Sequence, residues 1–183
     1  MALDVIMLTG QSNADLMRPD DTPLVSNPRW LWVARSGSSL ANDWGDESDL
    51  ENALVATIDQ LPSDINITMA WLQGENDSRF PVDAAAYEAN RAALRTRVLA
   101  DTGRSAIYTV ELQLHDDLDP VVYTEQATVR TAKSDFVSGI GAAGTLIDPT
   151  LLGSLGVDDI HYDSDLRVAV ASAIYAAHVA KFG

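Results

Sequence analysis

The sequence predicts an α/β protein: a central, mostly parallel sheet of five strands covered on both faces by helices, the three-layer α/β/α arrangement. Three observations predict it. Short apolar, β-rich runs recur along the chain, and stretches of helical period separate them. The whole series fits in 183 residues, a length suited to a single domain, 1–183, with one substantial core.

The strands come in order. Residues 3–9, LDVIMLT, read as a strand buried on both faces, built on the apolar run VIML. Residues 30–33, WLWV, 65–72, INITMAWL, and 105–112, SAIYTVEL, follow, and 143–147, AGTLI, is a weaker fifth. Between them lie the helices. In 48–60, Leu50, Leu54 and Ile58 recur every four residues, with Ser48 or Asp49 as cap and Glu51 in the first turn. An alanine-rich helix occupies 82–100, and Asp101, Thr102 and Gly103 end it. Pro120 suggests a helix start for 120–134. Residues 163–181 place Leu166, Val170, Ile174 and Ala177 on one side.

Ligands of parallel sheets bind at the carboxyl ends of the strands. GQSN (10–13) directly follows the first strand, RSGSSL (35–40) the second and QGEND (73–77) the third, while His161 precedes the last helix. These loops are therefore expected to open on one edge.

Composition narrows the partners. The formal net charge is −15, from 27 acids against 12 bases, and such a surface repels phosphate backbones and anionic membranes. Nucleic acid and membrane are not expected as partners, and a neutral substrate suits the surface better than a polyanion. No run of ~18 apolar residues suggests a membrane span, and MALDVIMLTGQSN lacks the basic start of a signal peptide. There is no cysteine, hence no disulfide and no thiol nucleophile. The phosphate loop, the dinucleotide glycine fingerprint, the EF-hand loop and the GxSxG elbow are all missing. No cofactor or metal is expected, and oligomeric state is not legible.

Each chemistry-bearing residue has two readings. Ser12 is a capping or turn serine, or a nucleophile that needs a base and oxyanion donors. His161 is a histidine of an acidic loop, or a base whose far ring nitrogen meets Asp158, three residues earlier. His115, with Asp116 or Asp117, is the rival base; His178, near the end of the last helix, reads as structural. Glu75 and Asp77 could be the paired carboxylates of a glycoside hydrolase. Gln73 offers a neutral amide donor, and Gly37 a backbone N–H. The tryptophans read as core, with Trp44 a candidate wall of a sugar-sized pocket.

Taken together, GQSN, SGSSL (36–40), WLQGEND (71–77) and DDIHY (158–162) resemble, in order and over nearly the whole chain, the SGNH (GDSL-like) hydrolase superfamily. The likeness is to its carbohydrate esterase branch, with sialate O-acetylesterase-like and acetylxylan esterase-like domains. The resemblance implies a flavodoxin-like α/β/α fold and a serine esterase that removes acetyl groups from a carbohydrate. It implies Ser12 as nucleophile, His161 as base and Asp158 as orienting acid. It implies an oxyanion hole of Ser12 N–H, Gly37 N–H and Gln73, with Asn13, Glu75 and Asp77 bracing the loops. Two positions depart from the branch: Ala14 stands where methionine is common, and Ser36 where glycine is. The short chain implies trimmed substrate loops and a shallow, open cleft. The rival functions are a non-catalytic carbohydrate-binding or structural module, and the glycoside hydrolase of Glu75 and Asp77.

Overall fold

The computed structural model describes residues 4–17 and 28–183. Its sheet has five parallel strands, β1 (Val5–Gly10), β2 (Arg29–Ala34), β3 (Ile67–Leu72), β4 (Tyr108–Leu112) and β5 (Gly144–Ile147), in the order β2-β1-β3-β4-β5. Each expected strand is present within a few residues; residue 3, included in the first of them, lies outside the described residues. β1 is sandwiched between β2 and β3, so chain direction across the sheet reverses there and a crevice opens at its carboxyl end.

Why these runs become strands is visible in their alternation. Val5 and Met7 enter one core, with Met69 and Trp71 of β3; Ile6 and Leu8 enter the other, with Ala70 and Leu72. The first core is closed by α3 (Asp49–Asp59), α4 (Ala84–Asp101) and α5 (Gln126–Ile140), through Leu54, Leu94 and Val129 among others. The second is closed by α1 (Ser12–Leu16) and α6 (Ser164–Phe182), through Ala14, Leu166, Val170 and Ile174. A sixth helix, α2 (Leu40–Asp43), is a single turn after β2. Capping follows the side chains: Ser48 accepts from Glu51 N, Asp83 from Ala86 N and Asp163 from Leu166 N.

Two expectations need correction. The helix expected over 120–134 spans Gln126–Ile140 instead. Asp119 is the reason: its carboxylate accepts from Val121 N and its carbonyl from Val122 N and Tyr123 N, which closes a separate turn. Glu125 N then donates to Ser78 O, tying this stretch to the loop after β3. Trp44 is core rather than pocket wall: it is buried, stacked edge-on against Trp71 with ring centroids 4.8 Å apart.

Candidate active site

The β1–α1 junction is forced by Gly10. Its φ is +129°, and a Cβ there would stand 1.9 Å from the Leu72 carbonyl oxygen of β3. Only glycine lets β1 pass that close and turn. Gln11 N then donates to Leu72 O, and Ser12 begins α1. Ser12 is not a capping serine, because the cap position is Gln11 and no side chain caps this helix. Its own N–H belongs to the first turn, where backbone donors lack helical acceptors.

Ser12 and His161 line the same open cleft of about 730 Å³, together with Gly37, Glu75, Asn76, Arg79, Tyr123, Asp158 and Arg167. The expectation that distant loops meet at the carboxyl edge therefore holds for GQSN, SGSSL, QGEND and DDIHY. The two side chains share no hydrogen bond in this resting arrangement; catalytic contacts of this kind commonly tighten only around substrate.

His161 and Asp158 form a self-contained unit. His161 Nδ1 lies 2.6 Å from Asp158 Oδ2, while Asp158 Oδ1 accepts from His161 N at 2.9 Å and Ile160 N at 3.1 Å. The histidine contact first, then these N–H groups, pull the Asp158 carboxyl from 3.8 to about 2. Asp158 is thus ionised near neutrality and holds the Nδ1–H tautomer, which leaves Nε2 as the proton acceptor. Gly156 N donates to His161 O and Leu155 bridges Tyr162, so the loop is a tight hairpin.

A buried amide and carboxylate network ties this hairpin to the serine. Asn13 Oδ1 accepts from Tyr162 N at 3.0 Å, and its Nδ2 reaches Ile160 O at 3.4 Å, so Asn13 grips the backbone on both sides of His161. Glu75 holds Asn13 in turn: Oε1 accepts from Asn13 Nδ2 at 2.7 Å, and Oε2 from Gln11 Nε2 at 2.5 Å. Burial pushes the Glu75 and Asp77 carboxyls up, against the pull of their hydrogen bonds. Asp77 accepts from Leu40 N at 2.8 Å and from Gln73 Nε2 at 2.9 Å, fixing the loop after β2 against the loop after β3.

Gln73, expected in the oxyanion hole, is placed elsewhere. It is 1 % exposed and does not line the cleft. Its Nε2 donates to Ser38 O at 2.6 Å, Asp77 Oδ2 at 2.9 Å and Gln11 Oε1 at 3.2 Å. An amide has two hydrogens, and both are spent. The amide that does face the cleft is Asn76, which the sequence reading missed. Its Nδ2 donates to Gly37 O at 2.9 Å, which leaves the second hydrogen for a ligand, and its N is held by Gln11 Oε1 at 3.3 Å. Position relative to the strand end is the signal that could have found it: Gln73 immediately follows β3, whereas Asn76 sits in the turn beyond it. Gly37 lines the cleft, and its N–H donates to no backbone acceptor among the described residues.

The remaining candidates fall into place. His115 is buried outside the cleft, with Nε2 on Gly153 O at 2.8 Å and Nδ1 accepting from Asp117 N; it pins the chain that leads to the His161 loop and is not the base. His178 lies against Thr68 Oγ1 at 2.8 Å and near Asp4, rather than on helix carbonyls, and burial pulls its imidazole down. The Glu75–Asp77 pair does not suit glycoside hydrolysis, since each of the four oxygens accepts from a buried donor and Asp77 lies outside the cleft. Among the described residues no group of three or more His, Cys, Asp or Glu side chains could hold a metal ion, and no helix is long and apolar enough to cross a membrane.

The model of the family described as "Carbohydrate esterase, sialic acid-specific acetylesterase" matches residues 30–179. The chain belongs to that family. This esterase is therefore a carboxylic ester hydrolase, and its family acts on acetylated carbohydrate. The matched stretch contains QGEND and DDIHY, and GQSN precedes it. Solved structures share the esterase's fold at low identity. A protein of Arabidopsis thaliana superposes with a TM-score of 0.77 at 16 % identity, covering 100 % of both chains. A carbohydrate acetylesterase from Sinorhizobium meliloti gives 0.66 at 13 %, covering 98 % of this chain and 99 % of its own. An aryl esterase of M. smegmatis, in an inhibitor-bound form, gives 0.68 at 14 %, covering 96 % and 99 %. No curated relative matches the sequence.

Proposed function

We propose that residues 1–183 form one catalytic unit in which Ser12, His161 and Asp158 remove O-acetyl groups from a sugar through an acyl-enzyme. The observation that carries this reading is the shared cleft: Ser12 faces it, and His161, already oriented by Asp158 at 2.6 Å, faces the same space. Ser12 Oγ attacks the ester carbonyl while His161 Nε2 takes its proton. The oxyanion rests on Ser12 N–H, Gly37 N–H and the free amide hydrogen of Asn76, donors carried by residues that line the cleft. His161 then hands the proton to the departing sugar hydroxyl. A water, deprotonated by the same nitrogen, cleaves the acyl-enzyme and releases acetate. In this reading Gln73 braces the loops instead of donating to the oxyanion.

The sugar itself is read from the rim. Net charge favours a neutral substrate, but the cleft carries the guanidiniums of Arg79 and Arg167. Arg167 Nη1 is spent on Leu16 O, whereas Arg79 is exposed and its guanidinium makes no hydrogen bond or ion pair among the described residues. Arg79 supports an acetylated sugar that also bears a carboxylate.

The test is acetate release from acetylated neutral and acidic sugars, wild type beside Ser12→Ala, with a serine-directed phosphonate as label. Release that vanishes in Ser12→Ala, together with label on Ser12, is expected. Release that survives the substitution refutes the mechanism; absence of both release and label favours a non-catalytic module.

A further inference from the structure

The mechanism leaves one buried group unused. Glu111, in the middle of β4, is fully buried, and so are the two cations that meet it. Arg91 Nε lies 3.0 Å from Glu111 Oε2, and Lys133 Nζ lies 2.9 Å from Oε1 and 2.7 Å from Leu112 O. One carboxylate against two cations leaves a positive charge over. A buried charge without a counter-charge is strongly disfavoured. Arg91 and Glu111 already balance, with the guanidinium 4.3 Å from the Trp71 ring centroid and 4.8 Å from that of Phe136. Lys133 is the surplus.

The loop after β3 lies directly on it. Gly74 has φ +125°, and a Cβ there would meet Lys133 Cε and Tyr87 Oη at 3.2 Å and Val129 Cγ1 at 2.9 Å. The carboxylates on either side of Asn76, Glu75 and Asp77, are buried and make no ion pair among the described residues; their close partners are amides and backbone N–H groups. The surplus cation thus lies against the glycine that directly precedes Glu75, with Asp77 two residues further on.

We propose that Lys133 is a positioning residue of the esterase, the counter-charge of Glu75 and Asp77 that holds the serine and histidine loops in register from behind. This rests on the assignment of Ser12 and His161 above. Its chemistry runs through Glu75, both of whose oxygens accept from an amide, Gln11 on one side and Asn13 on the other. A protonated carboxyl would turn an O–H toward an N–H, donor against donor, and release one of them. Loss of Asn13 frees the backbone on both sides of His161. Lys133 draws both carboxyls down against burial, and Asp77 pushes Glu75 up. The other groups facing this region are Arg91 and Tyr87 from α4, Glu111 from β4, and Tyr123 and Tyr162, which sense Glu75; Arg79, Asp119 and Asp158 act on Tyr123, and Asp148 on Tyr162. His161 lines the same cleft as the reacting base of the mechanism above, so the experiment compares variants with wild type rather than reading one profile.

The experiment is the pH profile of kcat and KM for acetate release by wild type, Lys133→Met and Lys133→Gln, with the Glu75→Gln background as control. Removing Lys133 leaves the balanced Arg91–Glu111 pair. The acid limb of kcat is expected to move up by about one pH unit, the effect of losing a neighbouring opposite charge. At the acid end kcat then falls about tenfold while KM is unchanged. In Glu75→Gln the second substitution is expected to move the limb no further. A ¹³C titration of the Glu75 carboxyl reads the same shift without any turnover, so inactivity of wild type on the sugar panel would remove the assignment of Ser12 and His161 and leave this measurement standing. An unmoved limb and an unmoved Glu75 titration overturn the proposal. So does failure of both variants to fold, which would make Lys133 a stability residue only.

Discussion

Asn13→Ala puts the link between nucleophile and base to its sharpest test. The side chain makes three contacts that the structure resolves: to the buried Glu75 carboxylate at 2.7 Å, to Tyr162 N at 3.0 Å and to Ile160 O at 3.4 Å. The last is long and contributes little. Truncation leaves a buried carboxylate oxygen and a buried N–H without their partners, a cost of about 2 kcal/mol for the charged group and about 1 for the neutral one. The sum, about 3 kcal/mol, corresponds to a fall in Tm of about 9 °C for a domain of this size. Catalysis suffers more than stability, because the freed backbone flanks His161: a misplacement of about 1 Å costs about 100-fold in rate. The assay is kcat/KM for acetate release beside a thermal melt. The Asp158–His161 contact lies within the hairpin itself, so phosphonate labelling of Ser12 should slow along with turnover. A variant within about threefold of wild-type kcat/KM would refute the claim that Asn13 sets the distance from hydroxyl to imidazole, whatever its melting temperature.

Two further outcomes follow from the same geometry. Asn76→Ala is expected to lower kcat about 100-fold with KM nearly unchanged, as for loss of an oxyanion donor; Gln73→Ala acts mainly on stability, since that amide touches loops only, and the reverse ranking of the two in kcat would return Gln73 to the hole. For Asp158 the pH dependence has a definite sign: its folded-state carboxyl sits at about 2, below the ordinary 3.8, so its stabilisation of the hairpin is complete above 3.8 and is lost as pH falls through about 2. The His161 backbone N–H, which donates to Asp158 Oδ1, should therefore stay protected from solvent exchange to well below pH 3.8, and Asp158→Ala should abolish that protection.

Much of the fold was legible because both faces of the sheet are covered, which makes strands such as β1 and β3 apolar on successive residues, Val5–Leu8 and Met69–Leu72. The start of α5 was not, because Pro120 suits a helix start and the competing turn depends on Asp119 and on a distant carbonyl, Ser78 O. In the site, Asp158 and His161 were legible because their contact spans three residues. The exchange of Gln73 for Asn76 was not: both are neutral amides in one loop, and which of them faces the cleft is decided by partners such as Ser38 O and Gly37 O, contributed by a different strand's loop. The buried Arg91–Glu111–Lys133 cluster had one signal, an acid inside a strand expected to be buried, which requires a cation from a neighbouring element.

The acid–base pair and the nucleophile belong to pieces held together by very different means. Asp158 and His161 travel as one small module stitched by its own backbone, whereas Ser12 rides on the rigid sheet, and a single asparagine is the seam. Mild heating or dilute denaturant would open that seam first, producing a molecule with an intact core and an intact module that no longer turns over. Inactivation should then precede the loss of secondary structure, and cooling should reverse it.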